Sequence, residues 1–298
     1  MNAAPPALDL SRAPFHVAAG ADPAQVAREM EACFRALPSL PRRVTACFQA
    51  SCAVAALDAS GSLVSAGLRI AGDIDRGIGD GDGNPYHNAQ HFCEMMLGSL
   101  CLTRLVPLEP GETALLLFAA LMHDFHHDGR IVKGVPFRLE RLALASAQPY
   151  LDAAGVPAAD RERLDALVLA TFVPTGVPFA RHCHRHHFLG APRPAPPTDA
   201  GALALLADDA RLAMLAVMLT EADVLASVGL TVALGDEAQR KIEREMHLAM
   251  GPADKLYFLE TVFGRFEIGT FFTPNLEAMK QEMRARVQRE RLQEGTRP

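Results

Sequence analysis

The sequence has no excess of positive charge. With 29 Lys and Arg residues against 35 Asp and Glu residues, the 298-residue chain has a formal net charge of -6 at pH 7. No overall positive field exists that could hold a nucleic-acid backbone. We therefore expect no nucleic-acid polymer as a partner, although a local site can still bind a small anion.

CxxC pairs and long apolar runs are also missing. The density of cysteine is too low for a disulfide framework, which predicts a reduced compartment, the cytoplasm. The longest apolar run, Ala114–Met122, is about half of the roughly 20 residues that a membrane-spanning helix needs. We therefore expect no membrane partner. Residues 1–22 lack a signal-peptide core and are predicted to be a flexible lead.

Helical periodicity is the dominant pattern, and 49% hydrophobic content allows a sizeable core. No repeat or linker divides the chain, so we predict an all-α fold with one helical domain over 81–293. Residues 23–80 are predicted to hold a helix and a small β-hairpin near 53–66, packed on that domain. Further helices are expected at 86–104, 112–127, 137–153, 158–172, 201–226, 236–249, 253–271 and 275–293.

Two motifs each place a pair of histidines one helical turn apart, on one helix face. YHNAQH at 86–91 contains His87 and His91, and HDFHH at 123–127 contains His123 and His127. The second motif follows the longest apolar run, so its side chains are expected to be buried. Buried histidines and carboxylates are costly to desolvate unless something compensates, and a divalent cation does so directly.

Two carboxylates complete the pattern. Asp124 directly follows His123, and Asp223 ends another strongly apolar helix. One histidine in a helix is commonplace, but HNxxH, HDxxH and a carboxylate after an apolar helix, in that order, are not. This constellation predicts a metal site.

These motifs, together with VLAT at 168–171, resemble the class I 3′,5′-cyclic nucleotide phosphodiesterases, which belong to the HD metallohydrolases. The resemblance extends from residue 86 to about residue 277. It implies a compact, multi-helix phosphodiesterase domain of the HD type that hydrolyses a cyclic nucleotide to the 5′-monophosphate.

The resemblance also implies roles for individual residues. Two divalent metal ions are expected, with Zn²⁺ (or Fe or Mn) at the tight site and Mg²⁺ or Mn²⁺ at the second, bridged by Asp124. His87 matches the general acid, His127 matches a histidine behind the ligands, and Glu140 matches a glutamate acting through metal-bound water. The implied ligands of the tight metal are His91, His123, Asp124 and Asp223.

Physical chemistry gives these roles a reason. Two carboxylates around two dications leave a charge of about +2, which a bridging hydroxide lowers to about +1, and a phosphodiester carries about -1. Metal coordination brings the pKa of water to about 7, which supplies hydroxide for attack on phosphorus. The leaving sugar oxygen needs a proton, and His87 lies one turn from His91 to provide it.

The sequence also departs from the family. Phe172 stands where the family has Asp, and the late segment 263–274 lacks the glutamine that reads the purine edge. Glu267 is the nearest candidate to read the base, Phe271 is a candidate to stack on it, and Tyr86 is a further substrate-binding candidate. A carboxylate accepts hydrogen bonds, so adenine, and hence cyclic AMP, is weakly preferred over cyclic GMP. Glu267 as a surface residue and Phe271 as a core residue remain alternatives.

Other readings of the chain stay open. HCHRHH at 182–187 has a proline-rich setting typical of an exposed loop, and 241–245 is interpreted as a solvated helix face. The enzyme could act on another phosphoester or, as a di-iron enzyme, on a phosphonate. A non-catalytic nucleotide-binding regulator and a homodimer are also compatible with the sequence.

Overall fold

The computed structural model describes residue 15 and residues 17–79, 83–130 and 132–295, and this part of the chain contains no β-strand. The all-α prediction is therefore confirmed. Its thirteen α-helices are α1 Pro23–Ala36, α2 Arg43–Val54, α3 Ser62–Ile74, α4 Ala89–Leu102, α5 Pro110–Met122, α6 Arg138–Ala153, α7 Ala158–Leu169, α8 Gly176–Leu189, α9 Ala204–Asp208, α10 Ala210–Val224, α11 Val232–Met246, α12 Pro252–Tyr257 and α13 Thr273–Gly295.

Helices α4, α5 and α10 form the centre of the protein and contact one another. Every residue from Leu115 to Met122 is buried, because α5 is apolar on all sides and other helices surround it. A capping box starts α5: the Glu112 side chain accepts the Glu109 N–H. The segment Ala210–Gly229 is long and apolar enough to cross a membrane, but 83% of it is buried inside the protein, as in a core helix.

The predicted hairpin near 53–66 is wrong. Helix α2 ends at Val54 and α3 begins at Ser62, and the connection turns where the Asp58 carboxylate accepts the Ser60 N–H. Leu63, Gly67 and Ile70 follow helical spacing along the buried face of α3. A side chain at Gly67 would collide with the Phe48 ring, so glycine allows α2 and α3 to approach closely.

The first three helices pack on the central ones, α2 against α4 and α3 against α5. Asp75, at the end of α3, accepts the N–H groups of Val44 and Thr45 and so caps the first turn of α2. Most of the predicted flexible lead, residues 1–14 and 16, lies outside the described residues. Phe15 is described, and its side chain is buried.

Further predictions about local structure are wrong. Neither histidine pair shares one helix face, because His87 precedes the Asn88 cap of α4 and His127 lies beyond the end of α5. The helix predicted over 201–226 is interrupted at Asp209, which has extended backbone and caps α10.

The HCHRHH segment lies in helix α8 rather than in a loop, because Pro178 occupies the first turn, where no backbone N–H is needed. The continuous helix predicted over 253–271 ends early: α12 and a π-helical turn reach Val262, and Gly264 then adopts a positive φ of 74°. The segment after Gly264 runs without regular structure to Thr270.

Candidate metal centre

The ends of the three central helices bring four predicted ligands to one point. His91 lies in the first turn of α4, which Asn88 caps by accepting the Gln90 N–H. His123 and Asp124 follow the last residue of α5, and Asp223 lies in the last turn of α10. The first turn of α4 and the ends of α5 and α10 therefore bring their polar side chains together.

Within this cluster, one ligand atom from each residue lies within 4.8 Å of the others. His91 Nε2 is 3.3 Å from an oxygen of Asp124 and 3.3 Å from one of Asp223, and His123 Nε2 is 2.9 Å from Asp124. The two imidazoles are almost fully buried, at 3% and 1% exposed. The donors therefore face inward and not toward solvent.

The chemistry of this donor set fits a cation. His123 Nδ1 lies 3.0 Å from the Ala120 carbonyl, so in the neutral tautomer it donates there and its Nε2 presents a lone pair to the cluster. His91 Nε2 lies only 3.3 Å from that atom. Two nitrogen lone pairs and two carboxylates in contact repel one another unless a positive charge lies between them. A donor set of this kind is the environment that holds zinc or a similar dication.

The pKa values in the cluster show the same preference for positive charge. Burial lowers the pKa of His91, but hydrogen bonds to Asp124 and Asp223 outweigh it and raise the pKa to about 9. Burial raises the pKa of Asp223, but the hydrogen bonds with His123 and His91 outweigh it and hold the pKa below the usual range. The cluster stabilises positive charge at its centre.

His87 lies beside this cluster and is held by a carboxylate. Its Nδ1 is 2.5 Å from Glu245 Oε1, and its Nε2 is 3.9 Å from an oxygen of Asp124. Glu245 also accepts the backbone N–H groups of Tyr86 and His87, at 2.8 and 3.0 Å. The imidazole is therefore fixed with one nitrogen on Glu245 and the other toward the metal cluster.

His127 packs behind His87, where the two rings stack with centroids 3.9 Å apart. Burial lowers the pKa of His127 to about 4, so this imidazole is neutral near pH 7. Its Nδ1 accepts the Gly129 N–H. His87, Asp124 and His127 form a second group whose geometry could hold a metal ion, next to the first.

Glu245 is the residue that the sequence analysis missed. The prediction that 241–245 is a solvated helix face is wrong for Glu245, which is only 7% exposed. Burial raises the pKa of Glu245, but hydrogen bonds from His87 outweigh it and lower the pKa to about 2. One signal was available: Glu245 follows the buried Leu234 and Ala238 at helical spacing, which places a charge on the apolar face of α11.

A cavity of about 510 Å³ opens on the metal cluster, and we call it the catalytic cavity. Glu140 lines it, and burial raises the pKa of this carboxyl to about 7. Phe172 lines it as well and packs against Phe137, with ring centroids 4.5 Å apart. The wall at this position is therefore apolar.

A second, mostly apolar cavity of about 290 Å³ adjoins the first, and we call it the side cavity. The two share His87, Val173, Asp223 and Met246. Tyr86 and Gln239 also line the side cavity. The Gln239 amide nitrogen donates to the Met250 carbonyl, 2.7 Å away.

The two other predicted base-binding residues line neither cavity. Glu267 is buried, not on the surface, and its carboxylate forms ion pairs with Arg185 and Arg265. Phe271 is partly buried and packs edge-on against Phe272, with centroids 5.1 Å apart. Their roles in binding a base stay predictions that this geometry does not support.

The fold is similar to that of solved phosphodiesterase domains. The phosphodiesterase domain of the RhoPDE fusion protein from the choanoflagellate Salpingoeca rosetta superposes with a TM-score of 0.60 over 95% of this chain and 98% of that chain, at 15% identity. A second structure, of the phosphodiesterase domain of Salpingoeca rosetta rhodopsin phosphodiesterase, gives the same TM-score and identity over 95% of this chain and 94% of that chain. No protein-family model and no curated protein matches. The predicted phosphodiesterase fold is confirmed.

Proposed function

We propose that this chain is a metal-dependent phosphodiesterase that hydrolyses a 3′,5′-cyclic nucleotide to the 5′-monophosphate. The observation that carries the proposal is the convergence of His91, His123, Asp124 and Asp223 beside His87, where all but His91 line one cavity. The fold shared with solved phosphodiesterase domains supports it.

These four residues would hold the tightly bound cation, and Asp124, which also approaches His87, would share a second one. Two imidazoles with two carboxylates suit zinc, with iron or manganese as alternatives, whereas magnesium or manganese suits the more solvated second position. When bound, divalent cations at this site supply a water of lowered pKa and neutralise charge that builds on the phosphoryl oxygens.

His87 would protonate the departing sugar oxygen. Glu245 holds its Nδ1, so its Nε2 is the nitrogen that faces the cluster and carries the transferable proton. An alkoxide is a poor leaving group, and a positioned acid accelerates its departure by roughly 10²–10⁴-fold. The ring of His127 packs flat against His87 and restricts its rotation.

The two adjoining cavities suit the two parts of such a substrate. A phosphoryl group in the catalytic cavity would lie at the His/Asp cluster, and the apolar side cavity has room for a base beside Tyr86. The amide nitrogen of Gln239 donates to Met250 and Glu243, which leaves its oxygen to accept from adenine's amino group. The expected preference for cyclic AMP rests on Glu267, which lines neither cavity. Both nucleotides are therefore proposed substrates.

The test is turnover by the purified full-length protein. Cyclic AMP and cyclic GMP are supplied with Zn²⁺, Mg²⁺ or Mn²⁺, and the 5′-monophosphate is quantified by chromatography. His182→Ala is the matched control for His87→Ala, because His182 is an exposed histidine outside both cavities. We expect product from the wild type and the control and little from His87→Ala.

Absence of product from either nucleotide, with metal demonstrably bound, would contradict the proposal. Oxygen consumption with bound iron would then favour oxidative chemistry on another substrate. Nucleotide binding without product would favour a regulatory role. The ratio of kcat/KM for the two nucleotides measures the base preference directly.

A further inference from the structure

A cavity of about 480 Å³ lies between helix α8 and residues 261–265, and we call it the arginine cavity. It shares no lining residue with the catalytic or side cavity. Three arginines contribute to its wall, Arg181 and Arg185 from α8 and Arg265 from the segment opposite. They are gathered on a protein whose net charge is -6, so the positive charge is local.

Arg181 is the buried member of this group, with 7% of its surface exposed. Its two terminal nitrogens donate to the backbone carbonyls of Phe263 and Arg265, and its guanidinium lies 4.5 Å from the Phe263 ring centroid. Its Nε is buried without a hydrogen-bond partner. Burial lowers the pKa of Arg181, which reflects the cost of keeping this charge away from water.

Nearby carboxylates do not balance the three guanidinium groups. Arg185 and Arg265 share one carboxylate, that of Glu267, and no carboxylate forms an ion pair with Arg181 among the residues that the structure describes. Glu221, the other acid near Arg181, accepts the backbone N–H groups of Glu267 and Gly269 instead. Burial raises the pKa of Glu221 to about 7, so its negative charge is only partial near neutral pH. Three positive charges against one full and one partial negative charge leave a surplus of between about one and two.

We propose that the arginine cavity binds a phosphate-bearing anion. Guanidinium groups match the geometry of phosphate oxygens through paired N–H donors, and a phosphomonoester near -2 carries enough negative charge to neutralise this surplus. The cavity's volume lies in the range of small-molecule sites and admits either inorganic phosphate or a nucleoside monophosphate, whose base would face Val177 and Pro178. This proposal does not depend on the proposed catalytic function.

The first test is titration calorimetry of the full-length protein with inorganic phosphate at low salt. Arg265→Glu should weaken binding at least 10-fold, because it replaces one donor by a repelling charge. Arg265 is 60% exposed, and Arg185 still neutralises Glu267, so the variant should fold. Arg193→Glu is the matched control, since Arg193 is 57% exposed, pairs with Asp208 and lies outside the cavity.

A second variant should change the phosphate affinity in the opposite direction. Glu267→Gln removes the carboxylate that competes for Arg185 and Arg265, so phosphate should bind about 3- to 10-fold more tightly. A merely structural ion-pair cluster would show no such gain. Equal phosphate affinities in the wild type, Arg265→Glu and Glu267→Gln would overturn the proposal, as would binding that Asp124→Asn abolishes and Arg265→Glu leaves intact.

Adenosine 5′-monophosphate then identifies the source of the phosphate. Affinity at least 10-fold above that of inorganic phosphate, lost in Arg265→Glu, would support a nucleotide site. Equal affinities for the two, both lost in Arg265→Glu, would support a site for the phosphate group alone.

Discussion

Two histidine-rich segments of this chain have similar compositions and different surroundings. HDFHH at 123–127 follows the end of α5, where His123 and Asp124 meet a histidine from α4 and a carboxylate from α10. HCHRHH at 182–187 lies inside α8, and its side chains leave that helix in different directions. His182 is exposed, whereas His184 is buried.

Two histidines of α8 are placed to hydrogen-bond to backbone carbonyls. His186 Nδ1 lies 2.8 Å from the Ala191 carbonyl and His187 Nε2 lies 2.9 Å from the Leu206 carbonyl. No histidine of 182–187 belongs to a metal-holding group among the described residues. A metal site therefore depends on carboxylates and imidazoles from separate helices that converge, and local density of histidine does not create one.

The largest expected effect separates these two segments directly. Asp124→Ala removes the carboxylate that both metal-holding groups share, so metal affinity should fall at least 100-fold and activity should be lost. His187→Ala, in the α8 segment, should leave metal content unchanged. Metal analysis after dialysis checks both variants, and equal metal loss would mean that the α8 histidines also bind metal.

His87 tests whether the centre divides metal binding from proton transfer. His87→Ala should keep nearly full metal content while kcat falls roughly 10²–10⁴-fold, because the proton donor is lost. Metal analysis and steady-state kinetics on the same preparation separate the two effects. Metal loss equal to that of Asp124→Ala would make His87 a ligand.

Glu245 tests whether the proton donor must be held in place. In Glu245→Gln a neutral amide replaces the carboxylate that holds His87 Nδ1 and accepts the N–H groups of Tyr86 and His87. The imidazole is then held less firmly, so kcat should fall at least 10-fold. KM and metal content should stay near those of the wild type, which a general loss of structure would not allow. Glu237→Gln, on the same helix, is the control, because Glu237 pairs with Arg35 and Lys241 and lines neither cavity. An equal fall in its kcat would remove the positioning role.

The smallest effect concerns the carboxyl of Glu140, which lines the catalytic cavity, whereas Glu267, the buried acid near the α8 histidines, is held by arginines. Its pKa rises from an ordinary 4.5 to about 7, so the folded state binds more protons than the unfolded state between these values. The contribution of Glu140 to the free energy of unfolding is therefore fully present below pH 4.5 and is lost as pH rises through 7. Glu140→Gln should remove about 2 kcal/mol of this pH-dependent loss, measured by urea unfolding of chelator-treated protein at pH 5 and pH 8.

If the wild type and Glu140→Gln lose stability in parallel over this range, Glu140 is not the titrating group. Glu162→Gln is the matched control, because Glu162 is an exposed acid on α7 that does not line the catalytic cavity.

The sequence predicts those parts of the fold and site whose signal is local. Apolar periodicity locates α5 and α10. The i, i+4 spacing of the histidines finds the right residues but not their setting, because His87 precedes the cap of α4 and His127 lies beyond the end of α5. The hairpin prediction at 53–66 is wrong because Leu63 and Val64 fit a strand and a helix pattern equally well over so short a run. The loop prediction at 182–187 is wrong because proline in the first turn of α8 is compatible with a helix, so a proline-rich setting does not indicate a loop.

Other features have no local signal. The pairing of Glu245 with His87 joins residues 158 positions apart, and the salt bridge of Glu267 with Arg185 joins residues 82 apart. Each requires knowing how α11 or the segment after α12 packs against earlier helices. Glu245 lies on the buried face of α11 with apolar residues, so a charged residue at an apolar position of a helix indicates a buried polar contact.

The central claim is that four side chains from three helix ends hold a cation. Anomalous X-ray diffraction from crystals grown with zinc, recorded at the zinc absorption edge, tests it most directly. The account predicts a peak about 2.0–2.2 Å from His91 Nε2, His123 Nε2 and one oxygen each of Asp124 and Asp223. A structure without a peak at this point, or with its strongest peak among the histidines of α8, would contradict it.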